Sequence, residues 1–138
     1  MPIVHINLSF ETEGRTQIRD ITEDIQKALD KNNIREALVN IFIVGSTASI
    51  STIENDENLY NDMQEVLENI IPMKKNWRHH QTWGDENGGS HLRASLFGPG
   101  LSVPVTKGKL KLGTWQKIVL LDFDTTPRNR EVVLTCIS

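Results

Sequence analysis

The stretch ALVNIFIVGSTASISTIE, residues 37–54, decides how the rest of the chain must be arranged. Its first half is a near-continuous apolar run ended by Gly45, too short for a helix, and it predicts a central strand covered on both faces. The second half, STASISTIE, reads as the continuation of that strand or as its hairpin partner. A strand of this kind needs other strands beside it, and the flanking sequence supplies them. Upstream, IVHINLSF alternates Ile3, His5 and Asn7 against Val4, Ile6 and Leu8, the pattern of a strand with one apolar face, and ETEGR (11–15) follows as a turn. DITEDIQKALDKNN then opens on the capping acid Asp20, with Glu23 three places on. It sets Ile21, Ile25, Ala28 and Leu29 at helical spacing.

Downstream, Asn55 is placed to cap a second helix whose stripe of Leu59, Met63, Val66, Leu67 and Ile70 ends at Pro72. SHLRASLFG leaves room for a short helix closed by Gly98. LSVPVT, a turn at Lys107 and Gly108, KLKL, TWQKIVLLDFD and REVVLTCIS complete a β-rich C-terminal half, read as a meander with tight connections. The order predicts an α+β sandwich, with helices packed on a mostly antiparallel sheet, formed by residues 1–138 as a single domain.

At 138 residues, folding buries roughly two-thirds of the surface an unfolded chain exposes. The formal net charge of −3 argues against a non-specific nucleic-acid binder, which needs a basic surplus to displace counterions. The opening MPIVHINLSF lacks the features of a secretory signal and no run of eighteen apolar residues occurs, so no membrane partner and a cytoplasmic location are expected. The lone Cys136 lies in a strand-like segment and reads as a core thiol.

RHHQTWGDENGGSH, residues 78–91, holds three of the four histidines and no aliphatic side chain. A segment that cannot bury itself is a natural carrier of function on a rigid scaffold. His79, His91 and the nearby acids offer ligands for a divalent metal, zinc or magnesium, although the spacing differs from that of a helical zinc protease; solvated histidines are the plainer reading. Gly84, Gly88 and Gly89 would let backbone N–H groups approach a ligand. Asn87 or Ser90 could cap the helix that follows, whose start would attract phosphate, and Arg93 could add a cationic fork. In GTWQ (113–116), which opens a strand, a covered Gln116 would need partners for its amide. Ser46 and Thr47 supply hydroxyls at the end of the central strand, and Glu54 follows five residues beyond Ser49.

Taken together, GSTASISTIEND, WRHH, SHLRASLFGPGLSVPV, KGKLKLGTWQKIVLLDFD and PRNR resemble the YjbQ family of small bacterial and archaeal proteins, described as secondary thiamine-phosphate synthases. The resemblance spans nearly the whole chain. It implies a homotrimer and a weak transfer of the hydroxymethylpyrimidine group from its diphosphate to thiazole phosphate. Carried over residue by residue, it implies catalytic roles for His79, His91 and Glu54, and a site amide at Gln116. Ser46, Thr47, Asp85, Asn87, Arg93, Thr114 and Gln116 complete the expected substrate-binding set, with His79 and His91 as metal ligands. The chain departs from the family at Gly45, where many members carry histidine, so one imidazole is missing; Asp85, Asn87 and His80 are the groups that could compensate. Two functions follow as expectations. One is a transferase in which His79 or His91 exchanges protons with the reacting centre. The other is a non-catalytic trimeric binding protein for a phosphorylated or anionic metabolite.

Overall fold

The computed structural model describes residues 2–138. Two antiparallel sheets face each other. The first has five strands in the order β1 (Ile3–Thr12), β8 (Arg128–Ile137), β3 (Ala37–Val44), β5 (Gly100–Thr106) and β6 (Lys109–Leu110). The second has three, β2 (Gln17–Asp20), β7 (Lys117–Asp122) and β4 (Ala48–Ile53). Between them lies one core, to which β3 gives Val39, Ile41 and Ile43, β8 gives Val132, Leu134 and Cys136, and β7 gives Ile118 and Leu120. Helix α1 (Thr22–Lys31) turns Ile25, Ala28 and Leu29 into the same core. On its other face the three-stranded sheet carries a second core, Val119, Leu121 and Phe123, covered by Leu67 of α2 (Glu57–Ile70) and Ala94 of α4 (Gly88–Phe97). The layers are therefore sheet, sheet and helices, an α+β fold.

Every residue of β7 from Ile118 to Asp122 is buried because this central strand has core on both sides. Strand β3 differs from its predicted double coverage. Val39, Ile41 and Ile43 are fully buried, whereas Leu38, Phe42 and Val44 are 49%, 42% and 47% exposed on the outer face. Ile3 and Ile137 continue that uncovered face. The near-continuous apolar run of β3 thus reflects two different surfaces, a core face and an apolar face that nothing covers among the described residues.

The predicted hairpin after Gly45 is also revised. β4 neither continues β3 nor pairs with it; residues 45–47 carry the chain from the first sheet to the second, where β4 pairs with β7. The C-terminal meander is revised in the same way, since β7 and β8 belong to different sheets. The first turn is a third crossing, from β1 to the short strand β2, which propensity alone does not announce. These three direct crossings fall at one end of the sandwich, since Thr12 pairs with Arg128, Val44 with Glu131, and both Gln17 and Ala48 with Asp122, whereas the chain passes from β6 to β7 at the other end, where Lys117 pairs with Ile53.

Cap assignments shift by one residue. Asp56, not Asn55, accepts the N–H of Leu59 at the start of α2, while the Asn55 amide oxygen accepts from the Tyr60 hydroxyl. Asp20 accepts the Thr22 N–H from just outside α1. Gly98 ends α4 with φ of +88°, a conformation in which glycine avoids the steric cost of a side chain. Among the described residues, no helix is long and apolar enough to cross a membrane.

Candidate functional site

The crossing end of the sandwich carries a hollow of about 540 Å³. Its floor is built from the chain segments that change sheets. On β8 the inward phase that places Val132, Leu134 and Cys136 in the core also places Arg130 there, 6% exposed. Its guanidinium is held bidentately by Asp122, Nε to Oδ2 at 2.7 Å and Nη2 to Oδ1 at 2.9 Å. Nη2 also donates to Thr47 Oγ1 at 2.7 Å, and that hydroxyl in turn donates to Asp124 at 3.1 Å. Asp124 further accepts Nε of Arg128 at 2.8 Å. Burial by itself raises the Asp124 pKa, but the Thr125 N–H, Arg128 and Thr47 together overcome it and hold the carboxyl below its usual range.

Nη1 of Arg130 has no hydrogen-bond partner among the described residues, and it lies over Gly45. A β-carbon built on Gly45 would sit 2.8 Å from it. Gly45 also has φ of +139°, a region that side chains rarely adopt. The absence of a side chain at 45, where the family resemblance leads one to expect histidine, is therefore matched by a guanidinium that occupies the adjoining space.

The rim comes from the polar segment. Residues 79–83 form a short helix, α3 (His79–Trp83), ended by Gly84 with φ of +71°. The reversal brings Asp85 Oδ1 to 3.4 Å from His79 Nδ1. His91, on α4, lies with its ring 4.7 Å from that of His79 at an interplanar angle of 48°. Helix α4 is fastened to the second sheet by Ser90 Oγ donating to the Phe123 carbonyl and by Ser49 Oγ donating to the Ala94 carbonyl. Ser46, Thr47, His79, Asp85, Asn87 and His91 thus line one hollow with Arg128 and Arg130. Two buried atoms of this set, His79 Nδ1 and Asn87 Oδ1, have no hydrogen-bond partner among the described residues. Buried polar atoms left in this way are uncommon and mark places where a ligand or water completes the set.

Other expected site residues lie elsewhere. Glu54 follows the far end of β4, seven residues beyond Thr47, and at about 3.3 Å per strand residue that is roughly 20 Å away. Thr114 and Gln116 are at that same far end, because Lys117 pairs with Ile53. GTWQ does not open a strand but forms a turn before β7. Gln116 is exposed there and closes the turn locally, its Oε1 accepting the Gly113 N–H at 3.0 Å.

Arg93 is 2% exposed and fully engaged. It donates to the Ile71 carbonyl, to Thr16 Oγ1 and to Glu68, which ties α4 to the end of α2 and to the first turn. The cationic fork expected for phosphate is thus a structural clamp facing a different cavity. Nor do Gly88 and Gly89 open a path for a ligand. A β-carbon on the first would meet Trp77 Cβ at 2.9 Å, and one on the second Met73 Sδ at 2.9 Å, so both are glycine for close packing. Neither expected cap of α4 is made: Asn87 makes no side-chain cap bond, and Ser90 is committed to Phe123. His80 borders a neighbouring cavity with Lys74 and Lys75 and does not compensate for Gly45.

Arg128 and Arg130 are the functional candidates that residue-type reasoning passes over. A usable signal exists: a charged residue in phase with three apolar ones on a strand must find a buried partner. The donor set does not fit a resident metal. Among the described residues, no three His, Cys, Asp or Glu side chains are grouped to hold one ion, and the adjacent groups are guanidinium cations.

The fold and hollow can be set against known proteins. Residues 6–138 match the family model described as UPF0047 protein YjbQ-like. The chain belongs to the YjbQ/UPF0047 family. A UPF0047 protein of Archaeoglobus fulgidus is 34% identical over 132 residues, 96% of this chain and 100% of that one. One of Methanothermobacter thermautotrophicus is 36% identical over 96% of this chain and 90% of its own. Among solved structures, a YbjQ-like protein of unknown function from Sulfolobus solfataricus P2 has a TM-score of 0.86 at 26% identity, covering 98% of each chain. An uncharacterized YjbQ/UPF0047 protein from Clostridium acetobutylicum has 0.86 at 32%, covering 96% of this chain and 99% of that one.

The geometry makes two predictions. Arg93→Ala lowers unfolding free energy by about 3 kcal/mol in urea titration, as expected for breaking a buried, hydrogen-bonded cation. Asp124, with its folded pKa lowered, contributes stability that is present above the unfolded carboxyl pKa and lost as pH falls through the lower folded value. The Tm difference between the wild type and Asp124→Asn is therefore largest near neutrality and shrinks below about pH 4, as a thermal melt series reads directly.

Proposed function

We propose that the hollow binds the phosphate of a small metabolite and that the chain acts as a transferase on it, in the manner of a thiamine-phosphate synthase. The observation that carries this reading is Arg130. A buried guanidinium already neutralised on two nitrogens leaves its third, Nη1, beside a glycine that gives it room. A phosphate oxygen is the natural acceptor for it, with half-exposed Arg128 as a second cation. In the proposed reaction the bond between the pyrimidine methylene carbon and the diphosphate oxygen breaks and the diphosphate leaves with the electron pair, while the ring nitrogen of thiazole phosphate gives its lone pair to that carbon, forming the C–N bond of a thiazolium. Arg128 and Arg130 stabilise the departing charge, and His79 or His91 delivers a proton to it. No step is assigned to a metal.

A second reading, binding without turnover, is favoured by one observation: Glu54 and Gln116 stand at the opposite end of the sheet from the histidines. The site of action proposed is the cytoplasm, and the proposed assembly is a homotrimer, supported by the apolar outer face of the five-stranded sheet at Leu38, Phe42 and Val44.

The test incubates purified protein with hydroxymethylpyrimidine diphosphate and thiazole phosphate, with light scattering on the same sample. Thiamine phosphate forms with the wild type, and His79→Ala and His91→Ala each lower the rate by at least about 100-fold, the usual scale for a lost general acid. Equal rates in all three overturn the assigned chemistry. Thermal stabilisation by either compound, with both recovered unchanged from the wild type, establishes the binding reading instead.

A further inference from the structure

Trp83 is 75% exposed, more than any other large hydrophobic residue among those described. It does not stand on an open surface remote from the site, because it lines the hollow with His79, Asp85 and Arg128. Trp115, the other strongly exposed indole at 71%, lies at the far end of the sheet in the GTWQ turn. Trp77, by contrast, is half-buried, donates from its indole nitrogen to the Pro72 carbonyl at 3.0 Å, and carries Lys75 over its ring. Among the described residues nothing comparable holds Trp83: no ring stacks on it, no cation covers it and its indole nitrogen has no partner.

The backbone nevertheless sets its place closely. Gly84, in the left-handed region, donates its N–H to the His80 carbonyl at 2.9 Å and turns the chain back immediately after the indole. The same turn brings Asp85 to His79, so Trp83 is carried on the segment that delivers two of the site's polar groups. One wall of the hollow thus presents guanidinium N–H donors, from Arg128 and Arg130 held by Asp124 and Asp122, while its lip offers an uncovered aromatic face. A phosphate alone satisfies the first and leaves the second wet. A flat unsaturated ring stacks on an indole and gains both burial and face-to-face contact beyond what area alone supplies.

We infer that Trp83 is a specificity-determining residue that stacks on a planar heteroaromatic ring of the ligand whose phosphate reaches Arg130. The inference rests on the phosphate reading of the hollow, which it deepens by assigning the ring a place. Trp83 has no part in proton transfer, and its contribution is to binding and orientation.

The test uses two ligands that differ only by the ring, uridine 5′-monophosphate and ribose 5-phosphate, with inorganic phosphate as the reference, titrated by calorimetry and by tryptophan emission. In the wild type the ring-bearing ligand binds about tenfold more tightly than the sugar phosphate, within the range for a base stacked on an aromatic side chain, and quenches emission. Trp83→Ala abolishes the preference and the quench, Trp83→Phe keeps most of the preference, and Trp115→Ala changes neither. Arg128→Gln weakens all three ligands together. Equal binding of the two organic phosphates to the wild type, with inorganic phosphate still bound, overturns the role of Trp83 and leaves the phosphate reading standing. If none of the three binds, that reading falls and this one with it. Sedimentation of the same variants adds a further outcome. If Trp83→Ala dissociates the assembly while the ring preference persists, the indole is a subunit contact and the inference is wrong.

Discussion

The buried ion pair between Asp122 and Arg130 is the constraint from which the rest of this structure takes its form. Asp122 is fully buried on the central strand of one sheet, and Arg130 is buried on a strand of the other. Placing two charges there costs desolvation that only good geometry offsets. Here the contact is bidentate, and Thr12 and Thr47 satisfy remaining lone pairs and protons. Thr12 ends β1 and Thr47 precedes β4, so the pair gathers both further crossings. The hydrogen-bonding demand of one buried charge pair is met by the three segments that cross directly between the sheets at this end.

That arrangement leaves a guanidinium rigidly aimed. With Nε and Nη2 committed, Arg130 cannot rotate without breaking bonds inside the core, and Nη1 is presented at a fixed point above Gly45. The histidine pair is brought to the same place by a different device. Ser90 and Ser49 fasten α4 to the second sheet, and Arg93 fastens it to α2 and the first turn. The glycines at 88 and 89 allow the start of α4 to pass against Trp77 and Met73, which holds the polar segment down although it has no aliphatic residues of its own. Rigid elements thus carry a segment that could not have folded by itself.

Where sequence reading succeeded, the reason was local. The alternation of β1, the helical stripe of α1 and the stop at Gly98 all express periodicity or backbone preference within a few residues. Where it failed, the decision was made across the chain. Residues 48–53 have the same strand character whether they pair with β3 or with β7, and nothing within them specifies the partner. A lone arginine on a short helix suits either a ligand or a neighbouring acid, and gives no sign of the three groups that enclose Arg93. The Gln116 amide has its partners at the far end of the sheet, Oε1 accepting the Gly113 N–H and Nε2 donating to Thr52 Oγ1. Arg130 could have been found by its phase among Val132, Leu134 and Cys136.

By itself the amino-acid order determined the class of fold, the approximate place of most strands and helices, and the concentration of titratable groups in residues 78–91. These depend on side-chain pattern over distances shorter than one element. Only the tertiary structure decided that the strands divide into two sheets, with the β1–β2, β3–β4 and β7–β8 crossings gathered at one end. It also decided that His79 and His91 meet there with Arg128 and Arg130, while Glu54, Thr114 and Gln116 are left at the other end. The physical reason is that sheet membership is chosen by which face can be buried and which charge can be paired, and both are properties of residues far apart in the chain.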